Sequence, residues 1–332
     1  MTEYFLPADD AELVALRGFA REHARLVRLH EDPRYVVARE PAATRRVGVV
    51  SGGGSGHEPL HGGFVGRGML DAAVPGRIFA SPHNRQVFAA SLEVARDEGV
   101  LHIVKNYTGD RINFGIAAER LRDQGIRTER VLVDDDIATE SDETKTGRRG
   151  TAATVVVEKV VGAAAEEGLG LDALAEVGRQ VASKARSVAV ASRAHTAPAG
   201  GLAFDLAEGE LEYGVGIHGE RAAASVANDG VAQTVDRMLA DLQAHTRGVD
   251  PGVGTVVLVN GLGSATSLEL SAIAELACAG LERRGVEIAD VVTGTLVPAL
   301  DMRGFSLTLV PMDQQELARW QAPCETAAWR LA

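Results

Sequence analysis

The feature that most constrains this chain is a short apolar run that ends in a cluster of glycines. Val47–Val50 has the composition of a buried strand, and the segment Ser51–Pro59, SGGGSGHEP, follows it at once. A strand that leads into a glycine-rich segment is the usual geometry of a ligand site in an α/β protein. Glycines also let backbone amides approach a small polar ligand closely. We therefore predict an α/β fold with a ligand-binding loop at residues 52–57.

Strand-like and helix-like patterns alternate along the rest of the chain. The predicted strands cover 100–104, 131–133, 188–191, 256–259, 286–292 and 305–310, and the predicted helices cover 9–29, 84–97, 112–124, 151–182 (two helices), 229–246 and 267–284. The length of 332 residues suits two domains. We predict domains at residues 1–185 and 186–332, each with a mostly parallel or mixed sheet flanked by helices. A β-hairpin is expected over 202–217.

Charge and cysteine content exclude several classes of protein. The net charge of −12 argues against binding to nucleic acids or anionic membranes, which requires basic surface. Cys278 and Cys324 can form neither a disulfide framework nor a cysteine-rich zinc site. The N-terminus lacks the pattern of a signal peptide, and no apolar stretch of about 18 residues is present. We expect a cytoplasmic protein that spans no membrane.

Two further polar segments follow predicted strands. Lys105–Asp110, KNYTGD, offers hydrogen-bond donors, acceptors and a possible base, although Asp110 also suits the N-cap of the next helix. Asp134–Asp136 offers oxygen ligands of the kind that Mg²⁺ prefers, but three consecutive side chains do not converge easily on one ion. We therefore predict no metal site, and a solvated strand end at the three aspartates.

The segment Gly214–Glu220, GVGIHGE, contains a formal GxGxxG match. No helical pattern begins at Gly219 to point amides at a pyrophosphate, and the chain has no P-loop pattern, so no nucleotide site is predicted. Gly216 and Gly219 lie on the two sides of His218, and Glu220 is close by. A neutral imidazole is both a nucleophile and a proton carrier near neutral pH, and the spacing leaves both roles open.

Together these segments carry a resemblance that covers the chain from about residue 10 to its end. The matching segments are Ser51–Pro59, Lys105–Asp110, Gly147–Gly150 (GRRG), Gly214–Glu220, Asn260–Gly263 (NGLG) and Leu300–Phe305 (LDMRGF). In this combination the chain resembles the K subunit of the dihydroxyacetone kinases. The resemblance implies two α/β domains, a homodimer and a bound short-chain ketone.

The resemblance also implies roles for individual residues. His218 would add through Nε2 to the ketone carbonyl and form a hemiaminal. A substrate-binding set would wrap the ketone and bind its hydroxyl groups: Gly54, Ser55, Gly56, His57, Lys105 and Asp110. Within that set His57 would act as acid or base, and Asp110 would accept the proton of the hydroxyl that attacks phosphorus.

By the same resemblance, the phosphate donor belongs to another protein. An α-helical L subunit would carry ATP or ADP with Mg²⁺, and this chain would hold no cofactor. The chain ends at Ala332 without the length of an L domain, so we expect a separate L subunit. In one branch of the family a phosphoenolpyruvate-dependent phosphocarrier rephosphorylates the ADP in place, and in another branch ATP is exchanged directly. The sequence does not choose between them.

Three alternatives stay open. Pro298-Ala299 stands where the family usually has Thr-Ser, so another ketose such as erythrulose is an alternative substrate. Some members of the family are not enzymes but dihydroxyacetone sensors that coactivate transcription. The chain has His218, His57, Lys105 and Asp110, which favours the enzyme, although a sensor can keep the ligand site. An unrelated sugar-binding α/β protein is disfavoured by the combined motifs.

Overall fold

The chain forms two compact units, each built on a mixed six-stranded sheet. A computed structural model describes residues 4–7, 9–140, 147–197, 200–221, 225–246 and 252–332. The first unit comprises residues 2–133, 154–182 and 318–332, and the second comprises 134–153 and 183–317.

The chain passes from one unit to the other four times, whereas the sequence analysis placed one boundary after residue 185. That boundary lies close to the crossing after Ala182. The segment 134–153 belongs to the second unit because its backbone pairs there: Asp136 forms an isolated bridge with Ser187, and Ser187 N donates to Asp135 O. Such long-range pairing leaves no signal in the local sequence.

The first unit has its central strands buried on both faces. Its helices are α1 Ala11–Glu22, α2 Asn84–Val94, α3 Thr108–Asp123, α4 Ala153–Glu166 and α5 Leu171–Lys184, and its strands are β1 Val27–Glu31, β2 Arg34–Ala38, β3 Gly48–Ser55, β4 Gly66–Arg67, β5 Ala72–Ile78, β6 Val100–Lys105 and β7 Thr128–Val133. The sheet order is β1-β2-β5-β3-β6-β7, in which β5, β3, β6 and β7 run parallel. Every residue of β3 and β6 is buried, as expected for parallel strands covered on both faces.

The second unit carries a sheet that is mostly antiparallel. Its strands are β8 Arg186–Arg193, β9 Glu210–Tyr213, β10 Ser225–Ala227, β11 Gly254–Gly261, β12 Ile288–Gly294 and β13 Arg303–Met312, and its helices are α6 Val231–His245, α7 Ser267–Arg283 and the start of α8 Gln314–Trp320. In the order β10-β9-β8-β13-β11-β12, only β11 and β12 are parallel among the described strands. Helix α6 packs on β8, and α7 packs on β11 and β12. The prediction of mostly parallel or mixed sheets flanked by helices is confirmed.

The end of the chain returns to the first unit. Strands β14 Cys324–Thr326 and β15 Arg330–Leu331 form a small sheet with β4. None of the helices in the described part of the chain is both long and apolar enough to cross a membrane.

The predicted hairpin over 202–217 is wrong. Its expected first strand turns back instead, because Ala203 N donates to His195 O and Leu202 bridges Thr196. Strand β9 therefore pairs with β10, which lies beyond the predicted hairpin.

The three aspartates are not a solvated strand end, because Asp135 and Asp136 are buried. Asp135 accepts hydrogen bonds from Thr151 N at 2.7 Å and Ala153 N at 3.1 Å, which satisfies amides at the start of α4. Thr151 Oγ1 and Ser187 Oγ donate to Asp135 Oδ2, which also accepts from Ala153 N, whereas Thr151 N donates to Oδ1. The Asp135 carboxylate therefore links three segments of the second unit. The described residues contain no cluster of three or more His, Cys, Asp or Glu that could hold a metal ion.

Candidate functional site

The glycine-rich segment is mostly strand rather than loop, because β3 extends to Ser55 and pairs there with β5. A Cβ on Gly52 would lie 2.5 Å from the carbonyl oxygen of Val74 in β5, so a side chain at that position would force the two strands apart. Gly56, with a φ of 100°, begins the turn that follows. The prediction of a loop over 52–57 is therefore correct only for the last residues.

Gly53 leaves room for the amino group of Lys105, the last residue of the neighbouring strand β6. A Cβ on Gly53 would lie 2.2 Å from Lys105 Nζ and 3.1 Å from His61 Nε2. Lys105 Nζ lies 2.8 Å from His61 Nε2, and both side chains are buried. The glycine is therefore required by the amino group that occupies the space above it.

His61 is held on its other side by two buried polar groups. His61 Nδ1 lies 2.6 Å from Glu158 Oε1 and 2.9 Å from Ser51 Oγ. Ser51 Oγ in turn donates to the carbonyl oxygen of Ile103 at 2.9 Å. Because the serine proton goes to that carbonyl, the serine oxygen accepts from His61, so Nδ1 carries the imidazole proton. Nε2 then offers its lone pair to Lys105.

Burial dominates the electrostatics of this cluster. It lowers the pKa of Lys105, against the negative charges of Asp110 and Glu158, which raise it. It raises the pKa of Glu158 to about 8, against the Lys105 charge, which lowers it. Burial and the nearby charge of Lys105 both lower the pKa of His61 well below its ordinary value, so the imidazole is neutral.

Asp110 lies in the first turn of α3, whose N-cap is Tyr107, so its predicted role as an N-cap is wrong. A carboxylate in the first turn interacts favourably with the positive end of the helix dipole. Asp110 is 3% exposed, and its Oδ1 has no hydrogen-bond partner among the described residues. The helix thus holds a buried acceptor close enough to act on the Lys105 charge.

The remaining predicted residues of the first unit line the turn after β3. The His57 ring is fully buried and stacks on Phe79, with ring centroids 5.1 Å apart. A Cβ on Gly54 would lie 3.0 Å from Phe79 Cα, so the same backbone lies against both residues. Ser55 Oγ donates to Gly76 O and Gly56 N donates to Glu58 Oε2, each at 2.8 Å.

His218 lies in the second unit, between β9 and β10, and contacts the carboxylate of Glu220. Its Nδ1 is 2.9 Å from Glu220 Oε1, and its own backbone N donates to Glu220 Oε2 at 2.9 Å. Burial raises the pKa of Glu220, but the His218 hydrogen bond and charge outweigh it, and the pKa is lowered overall. The carboxylate accepts the Nδ1 proton, which leaves the lone pair of the neutral ring on Nε2.

The glycines around His218 are required by close contacts. A Cβ on Gly216 would lie 2.2 Å from Glu220 Oε2, and a Cβ on Gly219 would lie 2.6 Å from Cε1 of His195. Gly219 also has a φ of 79°. No helix begins at Gly219 in the described residues.

Sequence reasoning did not single out His61, Ser51, Glu158 or His195. Glu158 lies in the Ala/Val-rich helix α4, where the adjacent charges of Glu158 and Lys159 between apolar residues were the available signal. The other three gave no signal, since only tertiary contacts distinguish them.

The chain is similar to known proteins over nearly its whole length. Residues 17–328 match the model of the Dak1 domain. The chain is 40% identical to the Escherichia coli protein named PEP-dependent dihydroxyacetone kinase, dihydroxyacetone-binding subunit DhaK, over 94% of each chain.

Two solved structures share the fold over nearly the full chain. The dihydroxyacetone kinase of C. freundii matches with a TM-score of 0.88 and 35% identity over all of this chain, which spans 61% of the kinase chain. The dihydroxyacetone kinase operon co-activator Dha-DhaQ matches with a TM-score of 0.90 and 30% identity, over 96% of this chain and 98% of the co-activator.

Proposed function

This chain belongs to the Dak1 domain family, and on that premise we propose that it is the ketone-binding subunit of a dihydroxyacetone kinase. It binds dihydroxyacetone covalently on His218 and presents a hydroxyl group of the ketone for phosphoryl transfer. The reaction class is transfer of a phosphoryl group to an alcohol acceptor.

The contact between His218 and Glu220 carries this proposal. With its Nδ1 proton held by Glu220, the imidazole has a nucleophilic lone pair on Nε2. This lone pair forms a bond to the carbonyl carbon, the π electrons of the C=O bond move to oxygen, and that oxygen takes up a proton. The positive charge that develops on the ring is stabilised by the Glu220 carboxylate. Glycerol has no carbonyl, so it forms no such bond.

The buried groups of the first unit suit the hydroxyl groups of the same substrate. We assign hydroxyl binding to Lys105 and Asp110, and acid–base chemistry to His57. Asp110 would accept the proton of the attacking hydroxyl. Its buried Oδ1 supports this role, because this oxygen has no hydrogen-bond partner among the described residues. Gly54, Ser55 and Gly56 would enclose the substrate through their backbone.

The phosphate donor would come from a partner. We propose a separate L subunit that carries ATP or ADP with Mg²⁺. In one branch of the family, a phosphocarrier would also rephosphorylate the ADP on that subunit. A homodimer of this chain completes the assembly. The name of the E. coli relative, a PEP-dependent kinase subunit, supports this arrangement.

Two alternatives are tested with the main proposal. A different short ketose such as erythrulose would use the same His218 chemistry. A sensor that acts as a coactivator has the same fold, but the 40% identity to a kinase subunit exceeds the 30% identity to the coactivator and favours the kinase.

Ligand binding is measured first, by isothermal titration calorimetry of the chain with dihydroxyacetone, erythrulose and glycerol. We expect binding of a ketone, no binding of glycerol, and no covalent adduct in His218→Ala. A crystal soak is expected to contain a bond from Nε2 to the ketone carbon. A ketone that binds equally well to His218→Ala would overturn the role of His218.

Kinase and sensor are separated by activity. Phosphorylation of the bound ketone in the presence of an added L subunit and ATP, or of a phosphocarrier system, is expected for a kinase. Tight ketone binding without turnover in both systems would instead assign the chain to the sensors.

A further inference from the structure

We propose that His61 is a positioning residue for Lys105: supported by Ser51 and Glu158, its Nε2 accepts a hydrogen bond from Lys105 Nζ and fixes the amino group over Gly53. The inference rests on the proposed function, because it assumes that Lys105 binds the hydroxyl groups of the ketone. His61 does not itself touch the substrate in this proposal.

The geometry requires such a support. Lys105 reaches its position on a flexible side chain with four rotatable bonds, and holding it in one conformation costs rotamer entropy. The 2.8 Å contact to His61 Nε2 orients the amino group, and the absent side chain at Gly53 leaves it room. Asp110 acts on the same amino group through its charge.

The orientation of the imidazole is determined on its other side. Ser51 donates its only proton to Ile103 O, so the ring must direct its N–H toward Ser51 and its lone pair toward Lys105. Glu158 Oε1 accepts from the same N–H at 2.6 Å. This arrangement holds whether or not Glu158 is protonated, since its Oε2 has no hydrogen-bond partner among the described residues and can carry the proton.

The proposal predicts different effects on ketone binding for two substitutions of His61. In His61→Gln the side-chain oxygen can replace Nε2 as the acceptor for Lys105. In His61→Asn the shorter amide can replace Nδ1 as the donor to Ser51, but it cannot reach Lys105. A purely structural role for His61 would not favour glutamine over asparagine.

The readout is the affinity of the purified full chain for dihydroxyacetone, measured by calorimetry beside thermal unfolding. Loss of a hydrogen bond to a charged group predicts that His61→Asn weakens binding about 10-fold or more, and that His61→Gln weakens it much less. His102→Asn is the matched control, because His102 is also a buried histidine of the first unit and loses its Nε2 contact to Ser91. We expect it to bind dihydroxyacetone like the wild-type chain.

A double-mutant cycle with Lys105→Met tests whether His61 affects ketone binding through Lys105. If His61 acts through Lys105, adding His61→Asn to Lys105→Met weakens binding no further. Additive losses, or equal losses in His61→Asn and His61→Gln, overturn the proposal. Failure of the wild-type chain to bind any ketone refutes the proposed function instead, while wild-type binding that is weakened by Lys105→Met but not by His61→Asn refutes this inference alone.

Discussion

Glu220 binds His218 twice, once at the imidazole Nδ1 and once at the backbone N, with both distances at 2.9 Å. One carboxylate therefore sets the tautomer of the ring and the conformation of the turn that carries it. A Cβ on Gly216 would lie 2.2 Å from the same carboxylate, so the glycine is part of the arrangement.

Replacement of Glu220 by glutamine is expected to weaken ketone binding, if His218 forms the proposed bond to the carbonyl carbon. Glutamine has one acceptor oxygen for two donors, so either the ring or the backbone N loses its partner. A lost hydrogen bond to a charged group, about 1.5–3 kcal/mol, predicts a loss of affinity of about 10-fold or more. Calorimetry with dihydroxyacetone measures it. Glu269→Gln, at a carboxylate that caps α7, should leave the affinity unchanged.

Two neighbouring glycines should respond differently to alanine. At Gly52 the added Cβ meets the backbone oxygen of Val74, which cannot move without opening the sheet, so we expect Gly52→Ala to destabilise the protein by about 1–3 kcal/mol. At Gly53 it meets the end of the flexible Lys105 side chain, so Gly53→Ala should fold but bind the ketone poorly.

Chemical denaturation and ketone titration of both variants distinguish these outcomes. Gly115→Ala is the control, because nothing lies within 4 Å of its Cβ position on α3. If Gly53→Ala kept wild-type affinity, the Lys105 amino group would not need its present position.

The Asp135 carboxylate should be essential for the stability of the second unit. Asparagine at this position would keep one acceptor oxygen and direct an amide toward the donors of Thr151, Ala153 or Ser187. Leaving such buried donors without an acceptor costs about 1–3 kcal/mol each, so Asp135→Asn should lower the unfolding free energy by at least that amount. Asp172→Asn, at an exposed carboxylate, should cost much less in the same urea titration.

His102 should make the first unit sensitive to acid. Burial lowers its pKa from 6.5 to about 3, with a smaller contribution from the charge of Arg130. The unfolded chain takes up the proton below pH 6.5 while the folded chain does not, so this contribution to stability is complete above pH 6.5 and is lost as the pH falls toward 3.

His102→Gln removes this titration and keeps a polar group near Ser91. The unfolding free energy of the wild-type chain should therefore fall more steeply than that of the variant between pH 6.5 and 4, by up to about 1.4 kcal/mol per pH unit. Denaturation at several pH values measures both slopes. Parallel slopes would mean that His102 is not neutral and buried in the folded protein.

Local patterns in the sequence were sufficient for much of the fold. Ten elements lie where the apolar periodicity predicts them, because each buries apolar residues at a regular spacing along the chain. They are helices α2, α4, α5, α6 and α7 and strands β6, β8, β11, β12 and β13. Strands β2 and β5 were not predicted. The predicted helix over 9–29 ends at Glu22 and gives way to β1, because pairing with β2 outweighs local periodicity.

For the candidate site, the sequence by itself determined the residue types and the family: glycines before His57, a lysine and an aspartate after a strand, and a histidine with a glycine on each side. Only the tertiary structure decided what those glycines do. Gly53 makes room for an amino group that is 52 residues away in sequence, and Lys105 is held there by His61, whose ring Ser51 and Glu158 orient. Spacing along a chain encodes helices and strands, but the hydrogen bonds that select a tautomer or position an amino group form between elements that only folding brings together.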